Sequence, residues 1–236
     1  MLDSISTKIF ADGADLDGIL RLAADPLITG FTTNPTLMWK AGLTDYADFA
    51  QRLLEQIRDK PISFEVFADD EDEIRRQATK LAAWGPNVYV KIPITTTNGI
   101  SMAPLVRELS EADVQVNVTA LFTAAQVELI TAAVADGAPS CISVFAGRIA
   151  DAGIDPIPIM QRSVDIMTAA PRSELIWASP REVLNLVQAD QVGCHIITMT
   201  HDLLPKVKSL GKDLDQFSLE TVQMFHRDAA AAGFSL

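Results

Sequence analysis

A lysine stands inside an apolar run. Asn87 to Pro93 reads Asn-Val-Tyr-Val-Lys-Ile-Pro, a β-branched stretch of the kind that forms a buried parallel strand, and buried lysines are rare. Period-two alternation puts Lys91 on one face with Tyr89, and Val88, Val90 and Ile92 on the other. Turned into a closed barrel, the ammonium loses its water and the neutral amine is favoured. A neutral amine attacks carbonyls, so the functional reading is a Schiff-base lysine. The bland reading is a strand-end lysine whose head snorkels to solvent, and on this stretch alone that is the commoner outcome.

The other polar residues of the strands reverse that weighting. Asp12, Thr33, Glu65, Asn117, Thr119, Ser143 and Ser179 all fall late in an apolar run or just beyond one, on the expected inward face. Barrel interiors are otherwise filled by bulky branched side chains, so polar groups gathered at the carboxyl ends of strands point to chemistry. Each has its own structural explanation. Asp12 could cap the next helix, Asn34 before Pro35 could turn the chain, and Ser179 before Pro180 could be an N-cap with proline at N1. That all of these hold together is much less plausible than that any one does. A carboxylate near a lysine, a second carboxylate with a threonine, and surrounding amides and hydroxyls suit imine chemistry on a carbonyl, in which protons move in several steps.

Competing chemistries lack support. His195, His201 and His226 have no metal-ligand spacing with Cys, Asp or Glu, and neither G-x-G-x-x-G nor a P-loop occurs, so no metal and no cofactor is expected. The acidic run Asp69 to Glu73 reads as a solvated first helical turn, favoured there by the macrodipole.

The elements that must hold these residues alternate. Of 236 residues, 48% are hydrophobic, enough for one large core, and no Pro/Gly/Ser-rich linker divides them, so residues 1–236 are read as one domain. Eight short strands are expected near Lys8 to Ala11, Ile28 to Thr32, Ile62 to Val66, Val88 to Ile92, Val114 to Val118, Cys141 to Phe145, Leu175 to Ala178 and His195 to Thr198. Amphipathic segments follow, such as Glu71 to Trp84, Thr123 to Asp136 and Pro180 to Ala189, and His201-Asp202 is expected to start the last barrel helix. Repeated βα units imply a parallel sheet. At this length the α/β architecture is a (β/α)₈ TIM barrel, usually roughly 250 residues, with a doubly wound sheet as runner-up. Residues 213–232 add a C-terminal helix, with Leu214, Phe217, Val222 and Phe225 at near-helical spacing. Such a helix packs on the barrel or on a neighbour.

Charge and cysteines bound the partners. A net charge of −12 with 19 Lys and Arg argues against nucleic acid and anionic membranes, leaving a small molecule and room for one local basic pocket. Cys141 and Cys194 are read as core residues of a reducing compartment. With no signal peptide at the amino terminus and no bilayer-spanning apolar run, the expectation is a soluble cytoplasmic protein.

At these residues the chain resembles the transaldolase family, in its short branch shared with fructose-6-phosphate aldolases. The matching motifs are Phe31-Thr32-Thr33-Asn34-Pro35-Thr36, Ser63-Phe64-Glu65-Val66, Val90-Lys91-Ile92-Pro93, Asn117-Val118-Thr119-Ala120-Leu121-Phe122, Ser143-Val144-Phe145-Ala146-Gly147-Arg148 and Ala178-Ser179-Pro180-Arg181. They run in the family's order from Asp12 to the carboxyl terminus. The resemblance implies that Lys91 is the Schiff-base nucleophile, Asp12 the acid/base at the C4 hydroxyl of the donor ketose, and Glu65 with Thr119 the holders of a proton-shuttling water. It implies that Asn34, Asn117 and Ser143 hold the dihydroxyacetone unit, beside Thr33 and Phe145, and that Arg148, Ser179 and Arg181 clamp the phosphate. Pro180 and Val144 depart from the family, which often has Phe and Pro there.

The implied activity is transfer of dihydroxyacetone from a ketose phosphate to an aldose phosphate, with sugar phosphates as the small-molecule partners. An aldolase releasing free dihydroxyacetone and a noncatalytic sugar-phosphate-binding barrel are the alternatives. The resemblance also implies a homo-oligomer, in pentameric rings often stacked into decamers.

Overall fold

The computed structural model describes residues 2–234, Asp3 by its backbone alone. Eight parallel strands close in sequence order into a barrel. They are β1 (Lys8–Asp12), β2 (Ile28–Thr32), β3 (Ile62–Glu65), β4 (Val88–Pro93), β5 (Val116–Leu121), β6 (Ser140–Val144), β7 (Ser173–Trp177) and β8 (Ile196–Thr200). The helices are α1 (Leu16–Ala23), α2 (Pro35–Lys40), α3 (Tyr46–Gln56), α4 (Glu71–Ala82), α5 (Ala103–Glu111), α6 (Ala124–Val134), α7 (Ala146–Asp151), α8 (Ile157–Met167), α9 (Leu184–Gln191) and α10 (Leu214–Ala232). This is the (β/α)₈ barrel with a terminal helix.

Side-chain alternation divides the core in two. Val88, Val90 and Ile92 face outward into the large layer between strands and helices, with Ile9, Ala11, Trp177 and Ile197. Each such buried aliphatic contributes about 1.5–3 kcal/mol. Phe10, Cys141, Ile176, Ala178 and Ile196, with Tyr89 and Phe145, fill the barrel itself. On that inward face, two positions further towards the carboxyl ends than Phe10, Tyr89, Cys141 and Ile196, sit Asp12, Lys91, Ser143 and Thr198.

Three segments differ from the sequence pattern. Strand β5 starts at Val116 because the Val114 amide closes the end of α5 by donating to the Leu109 carbonyl at 3.0 Å. It runs on to Leu121 through an irregularity after Val118, where Ala120 takes φ 62°. The segment expected to be helical from Pro180 begins its helix only at Leu184. After β8 the chain makes a 3₁₀ turn, Leu204–Ser209, in place of a full barrel helix. Helix α10 buries none of its residues in this chain, and Leu214, Phe217, Val222 and Phe225 stay exposed; it does not close its own barrel.

Candidate active site

The carboxyl ends of the strands surround one cleft of about 510 Å³. Lys91 lies in its floor, 7% exposed, so the snorkelling reading fails. Its Nζ is 3.2 Å from Glu65 Oε2 and donates to the Thr33 carbonyl at 3.0 Å. Glu65 pairs in register with Lys91 on the neighbouring strand, which brings the carboxylate beside the amine. The Glu65 carbonyl in turn accepts from the Tyr46 hydroxyl at 3.1 Å.

Asp12 ends β1 in the same cleft. It does not cap α1, whose N-cap is Asp15. Its Oδ1 accepts from Thr32 Oγ1 at 2.8 Å and its Oδ2 faces Asn34 Nδ2 at 3.4 Å. Burial pushes the Asp12 carboxyl above the usual carboxylate range, against the opposing pull of Lys91, Thr32, Asn34 and His201. Asn34 does two things at once. Its Oδ1 caps α2 by accepting from the Leu37 amide at 2.9 Å, which orients the side chain and leaves Nδ2 for Asp12. His201, just past β8, packs so closely on Gly13 that a Cβ there would lie 2.5 Å from its Nε2. Burial pushes its imidazole below the ordinary histidine value, favouring the neutral ring.

Two sequence candidates lie beneath the cleft surface. Asn117, fully buried, donates to Ser63 Oγ at 2.9 Å and accepts from Ser143 Oγ at 2.7 Å. It therefore orients Ser143, which does line the cleft. Thr33 gives its hydroxyl to the Ser63 carbonyl at 2.9 Å, and the side chain that lines the cleft from β2 is Thr32. The inward parity of β2 is set by pairing of Thr32 with Asp12. Thr119 lines the cleft with a buried hydroxyl that has no hydrogen-bond partner among the described residues.

A cationic end completes the cleft. Phe145, Arg148, Ser179 and Arg181 all line it. The Arg148 guanidinium lies 5.2 Å from the centroid of the Phe145 ring, which itself packs against Phe122. Arg181 donates from Nη1 to Ser179 Oγ at 3.0 Å and is paired with Asp151. Ser179 is not an N-cap. It sits at φ 61°, and its carbonyl presses so closely on Gly147 that a Cβ there would come within 1.6 Å. Non-glycine residues rarely adopt such φ and they cluster at functional sites; Ala120, beside Thr119, is another, and it too lines the cleft.

Sequence reasoning missed Thr32, Thr198, Lys40 and Ala120, which also line the cleft. The period-two pattern of β8 carried the signal for Thr198, two residues after the inward Ile196. Among the described residues no group of three His, Cys, Asp or Glu could hold a metal ion, and no helix is long and apolar enough to cross a membrane. Chemically, the cleft offers an amine and two carboxylates at one depth and two guanidinium groups at one end.

Known proteins match this chain over most of its length. The family model for Transaldolase/Fructose-6-phosphate aldolase matches residues 9–236. A probable transaldolase of Dehalococcoides mccartyi is 34% identical over 198 residues, covering 84% of this chain and 88% of that protein. One of Thermoanaerobacter is 36% identical over 198 residues, with 84% and 87% covered. One of Streptococcus agalactiae is 35% identical over 223 residues, with 89% and 98% covered. The crystal structure of 2,3-dimethylmalate lyase, a member of the PEP mutase/isocitrate lyase superfamily, superposes with a TM-score of 0.54 at 12% identity, covering 99% of this chain and 86% of that one; that likeness is one of fold alone.

Proposed function

The chain belongs to the transaldolase/fructose-6-phosphate aldolase family, and from that premise we infer that it is a transaldolase acting on sugar phosphates through a Schiff base on Lys91. The observation that carries the assignment of the lysine is its burial beside Glu65, 3.2 Å away, in the same cleft as Asp12.

The steps follow from the groups. Neutral Lys91 adds to C2 of the ketose phosphate, and loss of water, with one proton taken up from the carrier beside the lysine, gives a protonated imine. Asp12 takes the proton of the C4 hydroxyl, the C3–C4 bond breaks, and its electron pair flows to the imine nitrogen to form an enamine. The aldose phosphate leaves. Another aldehyde is then attacked by the enamine, Asp12 returns the proton, and hydrolysis frees the new ketose. Water addition and removal at C2 need a proton carrier beside the lysine. Glu65 and the unpartnered Thr119 hydroxyl are suited to hold a water there. Asn34 and Ser143, with Asn117 behind it, suit the hydroxyls of the dihydroxyacetone unit, and Arg148, Ser179 and Arg181 suit the phosphate.

The remaining parts of this reading are an enzyme of one domain over residues 1–236, working in the cytoplasm as a pentameric or decameric homo-oligomer. The free, buried cysteines Cys141 and Cys194 support a reducing compartment. The uncovered apolar face of α10 supports a neighbouring subunit.

Borohydride treatment in the presence of fructose 6-phosphate tests the central step. The expected product is a reduced three-carbon adduct on Lys91 by peptide mass spectrometry. A noncatalytic sugar-binding barrel would yield none. An aldolase, the second activity in the family model's description, would give the adduct and also liberate dihydroxyacetone at the rate of transfer.

A further inference from the structure

We infer that Thr198, in the wall of the cleft, is a positioning residue that holds Asp12 in its proton-accepting form by acting through Thr32. This deepens the reading of Asp12 as the acid/base and rests on it. Thr198 lies on β8 opposite Phe10 of β1, one inward position below Asp12. Its hydroxyl reaches across β1 to Thr32 on β2, with 2.6 Å between the two Oγ1 atoms. Both threonines are buried, at 7% and 2% exposure.

The direction of these bonds follows from proton counting. Each hydroxyl owns one proton, and an ionised carboxylate only accepts. With Asp12 ionised, the single Thr32 proton must go to Asp12 Oδ1 at 2.8 Å. The short contact to Thr198 then has to use the Thr198 proton. The line therefore runs from Thr198 to Thr32 to Asp12, each donor made stronger by the one behind it. When Asp12 carries a proton on Oδ2, Oδ1 keeps its place as the acceptor at the end of this line. The carboxylate that must cycle between these states thus has one oxygen held by a buried line of hydroxyls, which leaves Oδ2, near Asn34, free for the substrate proton.

Thr32 is already bound to the carboxylate, so the stabilisation it delivers depends on whether a donor stands behind it. Thr198 supplies that donor, and valine at the same place has nearly the same shape and no hydroxyl. The charged and titratable groups that act on Asp12 are Lys91 from β4 and His201 beyond β8, and His201 is itself faced by Asp15, Arg21 and Asp202. None of them is changed by substitution at 198.

The test compares Thr198→Val and Thr198→Ser by the pH profile of kcat/KM for transfer, and by carbon-13 NMR titration of the Asp12 carboxyl, assigned with Asp12→Asn. Thr198→Val should move the acid limb and the Asp12 titration upward together, with kcat/KM on that limb falling about fivefold, the loss expected of one net hydrogen bond. Thr198→Ser should restore both. An Asp12 titration that does not move in Thr198→Val, or a serine variant that behaves like valine, overturns the inference. Thr198→Ala serves the same purpose should valine fail to fold. Because the NMR titration needs no turnover, it stands apart from the reading of Asp12 itself, which fails if Asp12→Asn retains transfer activity.

Discussion

Arg181 is held by Asp151. The carboxylate lies on α7 one turn beyond Arg148 and accepts from Arg181 Nε at 2.9 Å and also from Nη2, while Ser179 Oγ takes a proton of Nη1 at 3.0 Å. The pair holds the Asp151 carboxyl below and the Arg181 guanidinium above their ordinary values. Three of five N–H groups are thus committed, leaving one on each terminal nitrogen for a ligand. Arg148 lies against the Phe145 ring and has no carboxylate within ion-pair distance among the described residues.

The two arginines should therefore serve the phosphate alike and differ in their dependence on Asp151. Arg148→Ala and Arg181→Ala should each raise KM for a phosphorylated ketose by roughly tenfold to a hundredfold, the range of a charge-assisted hydrogen bond, and leave an unphosphorylated ketose almost unaffected. Asp151→Ala removes a partner that is about half exposed, so its effect should be near threefold, within the range of surface ion pairs. Steady-state kinetics on matched phosphorylated and unphosphorylated donors measure this difference. Equal losses on both donors would remove the phosphate assignment.

Gly147→Ala tests the loop geometry. The Gly147 amide donates to the Ala178 carbonyl at 3.3 Å, and the added Cβ would collide with the Ser179 carbonyl at 1.6 Å. The loop that carries Ser179 and Arg181 has to move. Overpacking of this kind costs about 1–3 kcal/mol, so a lowered Tm and a raised KM for phosphorylated donors should appear together. An unchanged Tm would mean that the loop yields freely.

What the sequence could reveal follows from how local each signal is. The parity of β4 is local: the valines and Ile92 on one face leave Lys91 on the other, so its inward side could be read from seven residues, while its burial needed the polar residues at the ends of the other strands. Glu65 and Ser143 were legible from strand parity in the same way, whereas Asn34 came from the family resemblance alone. Thr32 and Thr33 could not be separated so, because the inward choice is fixed by register with Asp12, 20 residues earlier. The Ser-Pro pair at 179 and 180 carries a strong local signal for a helix start, yet the backbone there is turned to meet Gly147, and Arg181 is turned to meet Asp151, 30 residues away. The positive φ of Ala120 has no sequence signature at all, since alanine is a helix former.

Asp12 links stability to activity through pH. Burial raises its folded-state pKa above the unfolded value, so its favourable contribution is present at low pH and is lost as pH rises through the raised value. At neutral pH the ionised carboxylate is a burden on the fold, about 1.4 kcal/mol for each unit of displacement. Asp12→Asn should therefore be more stable than the unaltered protein at neutral pH, with the two converging in acid, and should lose transfer activity. In the unaltered protein, kcat/KM should fall on the acid side at a pH above the ordinary carboxylate range. Chemical denaturation at several pH values and a pH–rate profile measure the two. An asparagine variant less stable at neutral pH would contradict the burial argument.

The balance between transfer and release is set, on this reading, by Glu65 and Phe145. The chain resembles the transaldolases here, with glutamate and phenylalanine where the aldolase branch of the family tends to carry glutamine and tyrosine. Releasing free dihydroxyacetone requires a proton on the enamine carbon and then water at the imine, and Phe145 lines the cleft with a ring that has no proton to give. A tyrosine hydroxyl there adds a donor. Glu65, 3.2 Å from Lys91 Nζ, is acceptor-only when ionised. Glutamine removes that negative charge and presents a donor to the same space. The unaltered protein should thus transfer to an added aldose phosphate much faster than it releases dihydroxyacetone, and Phe145→Tyr with Glu65→Gln should shift the ratio towards release by about a hundredfold, the lower end of the range for a positioned acid. Coupled assays of dihydroxyacetone and of the new ketose from fructose 6-phosphate plus erythrose 4-phosphate measure the ratio. If the unaltered protein already releases as fast as it transfers, aldolase is its activity; if the double variant leaves the ratio where it was, the two residues do not set it.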